Sequence, residues 1–452
     1  MTATTLEHPA HAQATEAAND AAPTAALKFI TCGSVDDGKS TLIGRLLVDS
    51  KAVLSDQLAG VQRHGEDGRE TDLALLTDGL SAEREQGITI DVAYRYFSTT
   101  RRKFIIGDTP GHEQYTRNMV TAASSADAAV LLVDATKLAW QDAAFPLLAQ
   151  TRRHALLVQL LRVPSIVFAV NKLDAVADAQ QAYTRIEAAL RAFAQEAGIA
   201  VEAIVPVSAL KGWNVVDPAP PSTDGSHWCG YHGPSLLRIL EGLSNTPAET
   251  GLPLAFPVQW VEKFSSSSDT SQGRRVFWGR VATGQAAVGQ RVRILPSGQS
   301  ATIARVLSHV REERDVAAGH SAGIVLDREL DVSRGDWLLA EAEDGAALPH
   351  SREIGATIAW MDDEPLVPGR AYWALHGHRW VKAKVRRIVH KLDIHTLAEQ
   401  DAAQLEANAI GEVELVLQDS IATLPYRQSR ALGALVLVDQ ASHKTAAAVL
   451  VR

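Results

Sequence analysis

The chain has 452 residues, 46% hydrophobic and 21% charged, a composition typical of a folded protein with about two to four domains. Its formal net charge of −9 argues against a general nucleic-acid binder, because such proteins present a basic face to phosphates. Two cysteines are too few for a disulfide framework, so we expect a cytoplasmic protein. The sequence lacks the run of about 18 apolar residues that a membrane span needs, which excludes a membrane-embedded class.

The first 27 residues are mostly Ala, Thr, His and acidic residues, with neither a basic start nor an apolar run. A secretory signal needs both features. The composition therefore predicts a disordered leader over residues 1–27.

A phosphate loop is the first stretch with a defined chemistry. Residues 29–32 are typical of a buried strand, Gly33–Ser40 has the pattern G-x-x-x-x-G-K-[ST], and residues 42–47 can begin a helix. Glycines let backbone N–H groups close around phosphate oxygens, and a helix N-terminus favours anions. Lys39 would reach the outer phosphates, and the Ser40 hydroxyl would ligate Mg²⁺. A chance glycine-rich turn is the alternative, which the flanking strand and helix disfavour.

A second segment suited to phosphate follows the strand pattern at residues 103–107. It is Asp108–His112, with the sequence Asp-Thr-Pro-Gly-His. In phosphate-loop enzymes a carboxylate at the end of a neighbouring strand supports Mg²⁺, and Asp108 fits that position. Gly111 would let a backbone N–H face the γ-phosphate.

Further strands end in polar motifs. The continuous apolar runs 128–134 and 165–170 predict parallel strands covered on both faces, and the second run ends in Asn171–Asp174. A third run, 203–207, ends in Ser208–Leu210. With helical segments between the strands, every motif lies at the carboxyl edge of a sheet, where open α/β sheets bind ligands.

The predicted secondary structure changes after a linker rich in Asn, Pro and Gly at residues 244–257. Short, evenly spaced strand patterns occur at residues 275–281, 290–295, 322–326, 380–385 and 411–417. We predict an α/β fold: a P-loop domain with a mostly parallel sheet at residues 28–247, then two antiparallel β-barrel domains at residues 252–345 and 346–452.

Four segments in this order resemble the guanine-nucleotide signature of the GTPase superfamily: Gly33–Ser40, Asp108–Gly111, Asn171–Asp174 and Ser208–Leu210. Residues Gly87-Ile88-Thr89-Ile90, the histidine after Gly111 and the trailing β-domains resemble the translation-factor class. The runs Gly33–Leu47, Ala82–Arg95 and Asp108–Met119 are most similar to the GTPase subunit family of bacterial sulfate adenylyltransferase.

This resemblance implies a subunit that binds GTP and Mg²⁺ and hydrolyses GTP. With a separate adenylyltransferase subunit, in a heterodimer or higher assembly, it would drive ATP and sulfate to adenosine 5′-phosphosulfate and pyrophosphate. Some members carry a kinase domain after the third domain, and we expect none here. Neither nucleic acid nor membrane is expected as a partner.

The resemblance also implies site residues. The catalytic residues would be His112, which orients the attacking water, Lys39 and Thr89. Contacts to GTP would come from Gly33, Ser34, Val35, Asp36, Asp37, Gly38, Lys39, Ser40, Thr41, Asp108, Thr109, Pro110, Gly111, His112, Asn171, Lys172, Asp174, Ser208, Ala209 and Leu210. Mg²⁺ would be held by Ser40, Thr89 and, through water, Asp108.

The residue chemistry supports a guanine base. The Asp174 carboxylate can accept from N1–H and the exocyclic amine together, a donor pair that adenine lacks, and Lys172 can pack along the base. Backbone N–H groups of Ser208–Leu210 would face the base oxygen. Two alternatives stay open: a translation GTPase that delivers aminoacyl-tRNA, and a scaffold that binds GTP without turnover.

Two further features lie outside these motifs. The basic cluster Lys382, Lys384, Arg386 and Arg387 is interpreted as a solvated strand face, with a partner's acidic surface as the alternative. Residues 137–150 form a longer segment than the resemblance leads us to expect.

Overall fold

The computed structural model describes residues 25–52, 73, 91–112, 116–142, 145–221, 227–263, 275–342 and 348–452. The first domain contains strands β1 (Leu27–Cys32), β2 (Ala93–Ser98), β3 (Lys103–Asp108), β4 (Ala128–Asp134), β5 (Ser165–Asn171) and β6 (Val201–Pro206). Its helices are α1 (Lys39–Asp49), α2 (Thr116–Ala123), α3 (Ala149–Leu160), α4 (Ala179–Glu196) and α5 (Leu236–Gly242). Short 3-10 helices span Ala135–Lys137, Leu173–Ala175 and Trp228–Gly230.

The described strands of this domain form one sheet in the order β2-β3-β1-β4-β5-β6, and among them only β2 runs antiparallel to its neighbour. Every residue of β4 and β5 is buried, because helices cover both faces. Helices α1 and α5 pack on one face, and α2, α3 and α4 on the other. The carboxyl ends of β1, β3, β5 and β6 therefore meet at one edge, which is where the polar motifs lie.

The second domain is an antiparallel sheet. Its strands are β7 (Ala255–Pro257), β8 (Trp260–Lys263), β9 (Arg275–Arg280), β10 (Gln285–Ala286), β11 (Arg291–Leu295), β12 (Ser300–Ser308), β13 (Val316–Ala317), β14 (Ser321–Leu326) and β15 (Trp337–Ala340). Seven strands follow the order β7-β15-β11-β12-β14-β9-β8, while β10 pairs with β13. The sheet curls around its own core until Ala255 pairs with Thr283, just beyond β9.

The third domain is a closed barrel. It contains β16 (His350–Trp360), β17 (Ala371–His376), β18 (Arg379–Leu392), β19 (Glu399–Gln400), β20 (Ile410–Ala422), α6 (Arg430–Gly433), β21 (Ala434–Asp439) and β22 (Thr445–Val451). The strand order β17-β21-β22-β16-β20-β18 closes because β18 pairs back with β17. Trp360 and Tyr372 fill the interior, with their rings edge to face at 5.7 Å.

The P-loop domain packs directly on the third domain through α2 and α3. Arg117 of α2 donates to the Met361 carbonyl at 3.2 Å. Arg152 of α3 donates to the Ile394 carbonyl at 3.0 Å. The Tyr426 hydroxyl returns a hydrogen bond to the Leu161 carbonyl at 2.9 Å. Helices on one face of the nucleotide-domain sheet are thus also the docking face for the barrel.

The predicted fold class is confirmed: a mostly parallel sheet with helices on both faces precedes two antiparallel β-domains. One boundary needs correction, because Leu27, assigned to the leader, begins β1 and is fully buried. Residues 1–24 of the predicted leader lie outside the described residues. Within the described part of the chain, no helix combines the length and apolarity needed to cross a bilayer.

The basic cluster of the third domain is largely paired within the chain. Arg386 bonds Glu353 at 2.6 Å and Arg387 bonds Glu414 at 2.5 Å, while the Lys382 ammonium lies 5.7 Å from the Trp373 ring. These contacts agree with a solvated strand face.

The second and third domains meet at a buried histidine. The His376 ring stacks on Trp337 at 4.9 Å, and its Nε2 lies 3.2 Å from the Leu432 carbonyl. Burial lowers the pKa of His376 to about 4, although the bond to Leu432 favours the charged form.

We expect this histidine to make the protein acid-sensitive. Unfolding restores an ordinary pKa of about 6.5, so the unfolded state binds more protons between pH 6.5 and 4, and folding stability falls as pH falls through that window. His376 should account for roughly 2 kcal/mol of lost unfolding free energy between pH 7 and 5. Denaturant unfolding at both pH values will show this as a smaller pH dependence in His376→Gln than in the wild type. Equal pH dependence would contradict it.

Candidate nucleotide-binding site

The phosphate loop connects β1 to α1 and has two positions where glycine is required. Gly38, the N-cap of α1, has φ +91°, and a Cβ there would lie 2.5 Å from Asn171 Nδ2. At Gly33 a Cβ would lie 3.1 Å from Asp37 Oδ2 and 3.2 Å from the Leu132 carbonyl oxygen. The loop is therefore pressed against the ends of β4 and β5, and its N–H groups precede the start of α1, as anion binding requires.

Lys39 is almost fully buried beneath this loop. Its Nζ donates to the Gly33 carbonyl at 3.0 Å and to the Ser34 carbonyl at 2.8 Å. Burial lowers the pKa of Lys39, and the nearby Asp108 and Asp37 carboxylates oppose that shift. An ammonium group has three donors, so one remains for a phosphate oxygen.

The end of β3 brings the second predicted segment against the first. Asp108 is buried and accepts from the Thr31 hydroxyl at 3.3 Å, while the Thr109 hydroxyl donates to the Thr31 carbonyl at 2.6 Å. A Cβ at Gly111 would lie 2.6 Å from Lys39 Nζ. Such a Cβ would also lie 2.8 Å from the Gly33 carbonyl oxygen, a backbone atom that cannot easily give way, so this close approach favours glycine and places the Gly111 backbone beside the Lys39 ammonium. Pro110 is buried in the same turn.

His112 follows this turn and is half-buried. Its Nδ1 is buried and has no hydrogen-bond partner in the described part of the chain. A buried ring nitrogen without a partner is costly and suits a group that acts on a water or substrate.

A contact from α3 to this turn was not predicted. Gln150 Nε2 lies 3.4 Å from the Gly111 carbonyl and 2.7 Å from His154 Nε2, and Arg153 fixes the Gln150 amide by donating to its Oε1 at 2.8 Å. Burial lowers the pKa of His154 to about 3, and the charges of Lys39 and Arg153 add to the effect. His154 is therefore a neutral packing group. Its spacing of four residues from Gln150 on a helix was the available signal.

The longer segment before α3 packs into the core of the P-loop domain. Leu138, Trp140 and Leu147 are buried there, and Arg185 donates to the Trp140 carbonyl at 3.0 Å. The cysteines are buried as well: burial raises the pKa of Cys32 and of Cys229 to about 12, so Cys32 is a core residue as predicted.

Asn171 joins the phosphate loop to the Ser208–Leu210 turn. Its Nδ2 donates to the Asp37 carbonyl at 2.8 Å, and its Oδ1 accepts from the Ala209 N–H at 3.0 Å. The prediction that the Asn171 side chain contacts the base is thus incomplete, because the side chain also bonds two other parts of the protein. The buried amide connects three motifs and keeps one N–H for a ligand.

Lys172 reaches back over the phosphate loop. Its Nζ donates to the Asp36 carbonyl at 2.5 Å and pairs with Asp134 at 2.8 Å, which leaves its aliphatic stem to line the site. Asp174 is half-buried and, among the described residues, its carboxylate has no hydrogen-bond donor.

Two of the three backbone N–H groups of the Ser208–Leu210 turn, which we expected to face the base, bond other parts of the protein. The Ser208 N–H bonds the Trp213 carbonyl, and the Ala209 N–H bonds Asn171. Arg45 of α1 donates to the carbonyls of Ala209 and Leu210. The N–H of Leu210 is therefore the one in this turn that the described structure leaves to a base.

Comparisons with known proteins match family models to two parts of this chain. Residues 24–247 match the family model of the elongation factor Tu GTP binding domain, and residues 353–452 match a GTP-eEF1A C-terminal domain-like model. Sulfate adenylyltransferase subunit 1 of Salmonella typhi is 42% identical over 94% of this chain and 85% of that protein. The chain belongs to the sulfate adenylyltransferase subunit 1 family.

Other relatives are consistent with this membership. Subunit 1 of Salmonella typhimurium shows the same identity and coverage. The bifunctional enzyme CysN/CysC of Xylella fastidiosa is 44% identical over 93% of this chain, which spans 65% of that protein's length. A crystal structure of sup35 complexed with GDP covers 97% of this chain and 96% of that one at 21% identity and a TM-score of 0.40, too loose a likeness to inform the site.

Not every predicted residue of this family's site can be placed. Thr89, with Gly87 and Ile88, lies outside the described residues. Ser40 and Thr41 open α1, and both are half-buried. Ser34 and Val35 are half-buried and Asp36 is exposed.

We expect Gly38→Ala to reduce guanine-nucleotide affinity at least about tenfold. A Cβ at this position must displace the Asn171 amide. The amide then loses its hydrogen bonds to the phosphate loop and to Ala209, each of which contributes roughly 1 kcal/mol to stability. Titration with a fluorescent guanine nucleotide measures the loss. Gly369→Ala is the matched control, because Gly369 also has φ +91° but a Cβ there would meet nothing within 4 Å. Equal affinity in the two variants would contradict the role of Gly38.

Proposed function

We propose that this chain is the GTP-hydrolysing subunit of a sulfate adenylyltransferase. It would couple GTP hydrolysis to the formation of adenosine 5′-phosphosulfate and pyrophosphate by a separate adenylyltransferase subunit. The proposal rests on the two hydrogen bonds of Asn171, which connect the phosphate loop to the Ser208–Leu210 turn expected to bind guanine. The chain in which they occur is a member of the subunit 1 family.

Thermodynamics explains why GTP hydrolysis would be coupled to the formation of adenosine 5′-phosphosulfate. The phosphate–sulfate anhydride of the product is so energetic that its formation from ATP and sulfate is unfavourable. A GTPase that passes its hydrolysis energy to the transferring subunit makes that reaction proceed. The adenylyl-transfer chemistry is assigned to the partner subunit, which would act in the cytoplasm with this chain.

The phosphate end of GTP would be held by backbone and cationic donors. N–H groups between Gly33 and Thr41 would surround the phosphates, and the third donor of Lys39 would meet an outer phosphate oxygen. Mg²⁺ fits the hard oxygen donors here: the Ser40 hydroxyl directly, Asp108 through water, and Thr89. The described residues contain no group of three or more His, Cys, Asp or Glu side chains able to hold a metal, so phosphate and water would supply the remaining ligands.

His112 would orient the attacking water. Its buried Nδ1, which has no hydrogen-bond partner among the described residues, and its position directly after Gly111 support this role. The Gln150 contact to the Gly111 carbonyl would hold the turn while the water is aligned.

The domain division is part of the proposal: a leader, a P-loop domain that ends near residue 247, and β-domains at residues 252–345 and 346–452. The contacts of Arg117 and Arg152 support a third domain that senses the nucleotide domain.

Asp174→Asn should shift preference from GTP towards xanthosine triphosphate. The carboxylate would accept from N1–H and the exocyclic amine of guanine, whereas an amide pairs better with a base that carries an oxygen there, and such paired sites discriminate by about a hundredfold or more. Competition between the two nucleotides measures the shift. Asp178→Asn is a suitable control, because Asp178 caps α4 and asparagine caps equally well. Unchanged selectivity in Asp174→Asn would refute the base assignment.

The function is tested by co-purification of this chain with the adenylyltransferase subunit, followed by pyrophosphate release from ATP and sulfate. We expect GTP to raise product formation and a non-hydrolysable analogue to fail. His112→Ala should bind GTP with wild-type affinity but lose turnover and coupling.

Two results would replace the proposal. GTP hydrolysis stimulated by ribosomes and not by the adenylyltransferase would indicate a translation GTPase. Tight GTP binding without single-turnover hydrolysis, with or without the partner, would indicate a nucleotide-sensing scaffold.

A further inference from the structure

A second lysine holds the phosphate loop from the side of β4. Lys137 ends the 3-10 helix that follows β4, and its Nζ donates to the Val35 carbonyl at 2.5 Å and to Asp37 Oδ1 at 2.8 Å. No sequence motif marks Lys137. About a third of its side chain is exposed, so its ammonium lies at the wall of the site rather than in the core.

Its partner Asp37 is a fully buried carboxylate within the phosphate loop. Asp37 Oδ2 accepts from the Ser34 N–H at 2.6 Å, and Oδ1 meets Lys137. The carboxylate therefore folds the loop onto itself. It also places a negative charge where the negative phosphates of a nucleotide would bind, which without compensation would oppose binding.

Asp134 makes the arrangement rigid. Its Oδ1 caps the 3-10 helix by accepting from the Thr136 N–H at 2.9 Å and hydroxyl at 2.6 Å, and this helix positions Lys137. Its Oδ2 lies 2.8 Å from Lys172 and 3.8 Å from Lys137. Burial disfavours ionisation of Asp134, but hydrogen bonds from Lys172 and Thr136 outweigh it and lower the pKa of the carboxyl.

Two lysines thus act in parallel on adjacent residues of the loop. Lys137 bonds the carbonyl of Val35, and Lys172 bonds that of Asp36. Lys172 comes from the base-recognition motif, whereas Lys137 comes from a different strand end. Both carbonyls are therefore satisfied within the chain, and a nucleotide would be met by the N–H groups of the loop.

We propose that Lys137 is a positioning residue for guanine-nucleotide binding, which neutralises the buried Asp37 carboxylate and holds Val35–Asp37 in the phosphate-binding conformation. The inference rests on the proposed nucleotide site and extends it to a residue outside its motifs.

The charge argument predicts how variants at the two positions depend on each other. Removing Lys137 alone leaves Asp37 buried and uncompensated, the costly case for a broken buried pair. Removing the charge of both leaves no net charge to repel phosphate, and Asn at position 37 can still accept from the Ser34 N–H. The two substitutions should therefore not be additive.

The test is a double-mutant cycle with the full chain, measured as binding of fluorescent GTP and GDP. We expect Lys137→Met to weaken both nucleotides at least about tenfold, Asp37→Asn to weaken them less than Lys137→Met does, and the double variant to recover most of the loss. Lys137→Arg should stay near the wild type, because it keeps the charge and two donors. Lys137→Gln, which keeps a donor without charge, should resemble Lys137→Met.

A control double-mutant cycle measures how an exposed surface ion pair affects nucleotide affinity. Lys444 and Asp363 form an exposed ion pair at 3.6 Å in the third domain, so Lys444→Met and Asp363→Asn should leave nucleotide affinity unchanged singly and together. Thermal denaturation without nucleotide is followed for every variant, to separate loss of folding from loss of binding.

Additive effects at Lys137 and Asp37, or loss of thermal stability in Lys137→Met with wild-type affinity, would overturn the inference. Wild-type protein that binds guanine nucleotide but does not stimulate the adenylyltransferase would overturn the proposed function and leave the role of Lys137 standing. Wild-type protein that binds no guanine nucleotide would overturn both.

Discussion

The site depends on one buried amide. Asn171 donates to the Asp37 carbonyl and accepts from the Ala209 N–H, so a single side chain at the end of β5 sets the distance between the phosphate loop and the Ser208–Leu210 turn. Gly38 exists as glycine partly because this amide occupies the space a Cβ would need. The phosphate loop and the Ser208–Leu210 turn are consequently parts of one hydrogen-bonded unit.

The same edge of the sheet is connected to the third domain. Helix α3 contacts the Gly111 carbonyl through Gln150 and the barrel through Arg152, two residues apart along the helix. Helix α2 contacts the barrel through Arg117. The turn that precedes His112 and the closed barrel are therefore both in contact with the same helix, α3.

Sequence periodicity located the central strands well. The predicted runs at 128–134 and 165–170 correspond to β4 and β5 almost residue for residue, because fully buried parallel strands carry an uninterrupted apolar signal. The boundary at Leu27 was missed since a leader rich in alanine gives no stop signal. Gln150 and Lys137 were missed because each contacts a residue 39 or more positions away, and no local pattern encodes that proximity.

The sequence by itself determined the order of the motifs, their placement at strand ends and the membership of the GTPase fold, since these depend on local residue types and spacing. Only the tertiary structure decided how the motifs share partners: the Asn171 amide bonds the phosphate loop and the Ala209 N–H, and Lys137 pairs with the buried Asp37 carboxylate. Hydrogen bonds and charge pairs between distant strands arise from how the sheet stacks them, and that geometry exists only once the chain has folded.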